Sequence, residues 1–189
     1  MPRPFRRVVT GHNAEGKSIF VIDGPAPAVH SRGTGATSST EFWVTNGTPA
    51  DNSGTDDPTM TQERRLPPPR NGTIFRVVEY PPDSQRVAAL RAPDSTHDAK
   101  AEGYVRDLKN ARHPGFHKTD SIDYAIVLSG EIDMEIDGAL VHLRGGDVLV
   151  QRGTIHNWTN PGTEPCVVAF VLVAAKPVER AGKVLNATG

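Results

Sequence analysis

GFHKTDSIDYAIVLSGEIDMEIDGALVHLRGGDVLVQRGTIHNWTN, residues 115–160, decides how this chain folds. Its middle, EIDMEID at 131–137, alternates acid and apolar side chains. Ile132, Met134 and Ile136 must point one way and the acids the other, which is a strand with a core face and a wet face. Residues 123–128, 141–143, 148–151 and 155–159 read as further strands. Turn residues separate them: Ser129-Gly130, Gly138, Gly145-Gly146-Asp147 and Asn160-Pro161-Gly162. Beyond the stretch, 167–175 (VVAFVLVAA) is apolar on both faces, the mark of a central strand. Short strands at even spacing predict an antiparallel barrel or sandwich.

Working outward, residues 1–48 predict a hairpin plus one strand. Residues 6–10 and 18–22 form the arms around turn residues 12–16, a glycine- and serine-rich loop covers 30–40, and a strand follows at 41–45. Gly11 to Ser18, GHNAEGKS, matches the phosphate-loop pattern G-x-x-x-x-G-K-[ST] letter for letter. That pattern binds phosphate only where a strand enters the loop and a helix leaves it. Here Ile19, Phe20, Val21 and Ile22 follow and Gly24-Pro25 stops them, so the stretch is predicted to be a hairpin turn. Residues 49–72 form a long polar connection of the kind that makes an arm, a lid or a partner-binding segment. Residues 73–80 (TIFRVVEY) are a strand with one buried face starting at Ile74. Residues 83–113 hold the helical material, either a cover over a pocket or a solvated connector. One domain is expected: an arm and first barrel strands at 1–80, a connector or lid at 81–114, the barrel core at 115–175 and a tail at 176–189.

The 189 residues suffice for one buried core. With 21 basic and 22 acidic side chains there is no basic field for nucleic acid. The single cysteine, Cys166, excludes an internal disulfide framework and is expected as a packed core thiol; this suits a reducing, cytoplasmic location. No apolar stretch reaches the length of a secretory signal or a membrane span. The Asn-x-Thr matches at Asn46, Asn71, Asn157 and Asn186 are read as chance.

Candidate chemistry centres on His117, Asp123 and His156. On a straight strand His117 and Asp123 would lie roughly 20 Å apart. Asp120-Ser121 must therefore bend for both to face inward, with His156 joining after two hairpins. Two imidazoles and a carboxylate are a facial donor set for Fe(II), and also for Mn, Ni or Zn. Thr119 shares the face of His117. Trp158 has the parity of His156, so it lines a pocket or packs in the core. Tyr124 is expected outside the barrel, and His142 facing water. His97, Tyr104 and His113 are candidate substrate contacts in the cover, while His12 and His30, in turns, are given no role.

With these residues on the page, the segment resembles the barrel domain of the cupin superfamily. The family's first motif, G-x5-H-x-H-x3–4-E-x6-G, is matched by His117, Thr119, Asp123 and Gly130. Its second, G-x5-P-x-G-x2-H-x3-N, is matched by Gly145, Gln151, Gly153, His156 and Asn160. The motifs span about a quarter of the chain. The departures are Thr119 for histidine, Asp123 for glutamate and Gln151 for proline. The resemblance implies an all-β fold, the double-stranded β-helix or jelly-roll barrel, often paired as a homodimer. It implies metal binding by His117, Asp123 and His156, with Thr119 a poor ligand, and it directs Thr119, Gln151, Trp158 and Tyr104 toward a substrate pocket.

Three functions follow as expectations. The first is a metal-dependent dioxygenase acting on a small organic molecule. The second is a metal-free lyase, dehydratase or isomerase using the same residues as acid and base. The third is a non-catalytic small-molecule-binding barrel. No nucleic acid or membrane partner is expected.

Overall fold

This computed structural model describes residues 3–31, 35–62, 65–90, 104–106 and 115–185, and in it glycine- and proline-rich turns cut the chain into short strands. The N-terminal part holds β1 (Arg6–His12), β2 (Ser18–Pro25), β3 (Ala28–Ser31) and β4 (Ser38–Thr45). It continues through a single helical turn, α1 (Pro58–Thr61), to β5 (Thr73–Tyr80) and α2 (Asp83–Leu90). The C-terminal part holds β6 (Tyr104–Arg106), β7 (His117–Thr119), β8 (Ser121–Ser129), β9 (Glu131–Ile136), β10 (Ala139–Arg144), β11 (Val148–Arg152), β12 (Asn157–Thr159) and β13 (Cys166–Ala174). The short β14 (Glu179–Arg180) and β15 (Lys183–Val184) end it.

Two sheets face each other, one six-stranded in the order β11-β8-β13-β5-β4-β3 and one three-stranded in the order β10-β9-β12. This is a jelly-roll arrangement, all-β as expected. The apolar run of β13 has the predicted cause: it lies between β8 and β5, antiparallel to both. Val168, Phe170 and Leu172 point into the core with Ile74, Val127, Ile132 and Met134. Val167 and Ala169 point the other way, onto Val77, Phe5 and Phe42. A strand covered on both faces can be apolar throughout. On β9 the period-two pattern sorts as expected, with Ile132 and Met134 buried and Glu131 exposed.

The phosphate-loop match is a hairpin. Asn13 closes its turn by accepting from the N–H groups of Glu15 and Lys17 at 3.1 and 2.9 Å. Gly16 takes the left-handed conformation there, and Ser18 opens β2 rather than a helix. The buried Arg7 ties the hairpin to the body by pairing with Asp57, which also caps α1 through the Thr59 N–H at 3.0 Å.

The structure corrects the sequence expectation in three places. β3 and the start of β4 occupy the stretch expected as loop. Ser38, Ser39 and Thr40 are buried on a strand flanked by β3 and β5, a setting that suits small β-compatible residues. The long connection carries α1. Residues 104–106, expected in helical material, are strand β6 paired with β7; cross-strand pairing and the extended preference of Tyr and Val outweigh a weak helical pattern.

The turn between β8 and β9 depends on Gly130. Its φ is +79°, and an added Cβ would lie 2.9 Å from the Pro165 carbonyl oxygen. Gly130→Ala is expected to lower the unfolding free energy by about 1–3 kcal/mol, read from urea denaturation midpoints.

Candidate functional site

The chain bends at Asp120, between β7 and β8, as the candidate site requires. The bend aims His117 and Thr119 on one side, and Ser121 and Asp123 on the other, into the same interior. Residue 156 then closes against residue 117. The two backbones exchange a pair of N–H···O bonds, each 2.9 Å. Their rings consequently meet, with centroids 4.3 Å apart and planes at 53°.

Each imidazole is oriented by a carbonyl two residues upstream. His117 Nδ1 lies 2.8 Å from Gly115 O, and His156 Nδ1 lies 3.0 Å from Thr154 O. A carbonyl only accepts, so both Nδ1 atoms carry a proton. His156 is 2% exposed. Burial pushes its pKa down to about 3, and the neighbouring His117 pushes the same way, while the bond to Thr154 pushes back. It is neutral at physiological pH.

The carboxylate is held differently. Ser121 Oγ lies 2.6 Å from Asp123 Oδ1 and 2.8 Å from Thr119 Oγ1. A serine hydroxyl has one proton, so when Ser121 donates to Asp123, Thr119 donates to Ser121. Burial raises Asp123 to about 6; the Ser121 bond and the charge of Arg76 moderate the rise. Among the described residues no three His, Cys, Asp or Glu side chains group closely enough to hold a metal ion. The expected convergence of His117, Asp123 and His156 therefore reduces to a histidine pair. Asp123 is engaged by Ser121, and it is a shorter side chain than the glutamate of the family motif.

Gln151 is Asp123's cross-strand partner on β11 and is 2% exposed. Its Nε2 donates to Thr154 O at 3.1 Å, so one carbonyl orients both Gln151 and His156. Tyr104 is brought opposite Thr119 by the β6–β7 register. Trp158 sits in the core, its ring 5.4 Å from Phe170 and 6.4 Å from Tyr80. Tyr124 is exposed, and His142 lies on the outer face between Asp133 and Glu131. His97 and His113 lie outside the described residues.

Arg76 and Glu41 escaped the sequence reading. They are buried cross-strand partners 3.2 Å apart, Glu41 on β4 and Arg76 on β5 with the parity of Ile74 and Val78. The signal was present: in TIFRVVEY, Arg76 has the parity of Ile74, and an arginine on the buried face of a strand marks a polar interior.

Residues 92–173 match the family described as Cupin domain. Over 97% of its length and 86% of the relative's, the chain is 30% identical to phomopsin biosynthesis cluster protein C′ of Diaporthe leptostromiformis. The chain belongs to the cupin superfamily. This cupin is also 29% identical to the cupin-domain-containing oxidoreductase virC of Hypocrea virens, over 91% of the chain and 77% of the relative. Among solved structures, the Cnp3 cupin domain of Schizosaccharomyces pombe is similar at a TM-score of 0.43 and 11% identity. That match covers 89% of this chain and 87% of the other.

The two buried groups give opposite pH dependences. Asp123 titrates at about 6 in the folded chain and about 4 unfolded, so its ionisation destabilises the fold as pH rises through that window. His156 titrates at about 3 folded and about 6.5 unfolded, so its contribution is lost as pH falls below about 6.5. Unfolding free energies are compared at about pH 7 and about pH 4.5. Relative to wild type, Asp123→Asn is expected to lose about 2 kcal/mol more on acidification, and His156→Gln about 2–3 kcal/mol less.

Proposed function

We propose that this cupin is an enzyme of oxidoreductase type acting on a small organic molecule, with His117 and His156 as a two-histidine metal site. The observation that carries the reading is the shared orientation of the two rings. Both Nδ1–H groups are committed to backbone carbonyls, the arrangement that orients metal-ligating histidines, and the neutral His156 keeps a lone pair on Nε2. The relatives named as oxidoreductases support the reaction class. A divalent metal held there would supply Lewis acidity and a redox couple. The chain's own residues would hold neutral nitrogen donors in place, keep Asp123 within the same buried polar interior and restrict water.

A second reading is favoured by Asp123 alone. A buried carboxyl titrating at about 6 is matched to proton transfer near neutral pH, and the hydroxyls of Ser121 and Thr119 would keep it oriented as a general acid or base. That chemistry needs no metal and would give a lyase or isomerase.

Elemental analysis of protein purified without added metal separates the two. About one Fe, Mn, Ni or Zn per chain is expected in the wild type and in Asp123→Asn, with loss in both His117→Ala and His156→Ala. Metal retained in His156→Ala, or none in wild type after incubation with each ion, contradicts the first reading.

A further inference from the structure

The carbonyl that sets the His156 ring belongs to no β ladder. Thr154 lies between β11 and β12, where the chain leaves the six-stranded sheet for the three-stranded one and Gly153 takes a φ of +56°. Among the described residues no backbone N–H reaches Thr154 O. Its donors are two side chains, His156 Nδ1 at 3.0 Å and Gln151 Nε2 at 3.1 Å. Thr154 is exposed, so water competes for the same oxygen. A peptide group with so few restraints turns easily unless a side chain holds it.

Gln151 is that side chain. Its backbone is anchored on β11 by pairing with Asp123, and it is 2% exposed. Its amide reaches three residues forward to Thr154 O and also stands 3.4 Å from Thr154 Oγ1. Only the NH2 end of the amide can face a carbonyl, which settles its orientation. A carbonyl oxygen has two lone pairs, so it accepts from Gln151 and from His156 together.

The ring responds because a neutral imidazole has one ring proton. While Thr154 O faces Nδ1, the proton stays on Nδ1 and the lone pair on Nε2. If the carbonyl turned toward water, that preference would be lost, and a proton on Nε2 would block coordination there.

We propose that Gln151 is a positioning residue for His156: it holds the Thr154 carbonyl against the ring and so keeps the lone pair on Nε2. The inference rests on the proposed metal site only for the use to which that lone pair is put. A role confined to tightening the turn would change stability and leave the ring as it is.

Gln151→Met keeps a side chain of similar size and removes the donor. Long-range 1H–15N NMR of the metal-free full chain is expected to show His156 as the Nδ1–H form alone in wild type. In Gln151→Met a second His156 species, protonated on Nε2, is expected, while His117, set by Gly115 O, keeps its Nδ1 proton. Zn²⁺ affinity, measured by competition with a chromophoric chelator, is expected to fall about tenfold in the variant. A His156 that stays wholly Nδ1–H in Gln151→Met overturns the inference, whatever the change in stability. Should the variant not fold, the wild type decides: a scalar coupling across the hydrogen bond from Gln151 Nε2 to the Thr154 carbonyl carbon is expected, and its absence overturns the inference. The tautomer is read without metal, so a wild type that binds no Zn²⁺ contradicts the metal site and leaves the tautomer to decide the role of Gln151.

Discussion

The paired backbone hydrogen bonds between residues 117 and 156 are the constraint on which the site depends. They join β7, just before the bend at Asp120, to the start of β12, which belongs to the opposite sheet. Residues 39 positions apart in sequence are thereby placed ring against ring. Each ring is then set by a carbonyl of its own incoming loop. Backbone geometry, rather than side-chain contacts alone, fixes which nitrogen faces the interior. A site fixed in this way is preorganised, because reorienting a ring would break its hydrogen bond to that carbonyl.

A second constraint is charge inside a small apolar barrel. Arg76 and Glu41 are buried as a pair, and Arg76 also donates to Arg65 O at 2.6 Å. Asp123 adds a second carboxylate to that interior. Burial pushes Asp123 toward protonation, and the Ser121 hydrogen bond and the charge of Arg76 offset it only in part. The neutral His156 is consistent with burial, since a buried imidazolium would be unfavourable desolvated charge.

Much of this was legible in the sequence. The period-two pattern of 131–137 and the doubly apolar run after Cys166 depend on local alternation and burial, which sequence displays directly. The hairpin at Gly11–Ser18 was legible because the residues after it are β-branched and aromatic. The bend at Asp120 followed from the distance that a straight strand would impose. Other features were not legible because they depend on distant partners. Ser121 captures Asp123, β6 pairs with β7 although the surrounding sequence has a helical pattern, and residues 178–185 fold back against the barrel. None of these leaves a local periodicity. Arg76 lies between the two cases: its parity was visible, but its partner Glu41 comes from a strand whose bulge shifts the register.

The central claim is that both rings carry a proton on Nδ1, and that His156 is a neutral imidazole. Long-range 1H–15N NMR of the ring nitrogens, recorded from about pH 5 to about pH 7, tests it most directly, since an ordinary histidine titrates at about 6.5. The account predicts Nδ1 shifts of protonated nitrogens for both rings, and for His156 an Nε2 shift of a lone-pair nitrogen that is unchanged across the range. A His156 signal that titrates near 6.5, or an unprotonated Nδ1 in either ring, would contradict it.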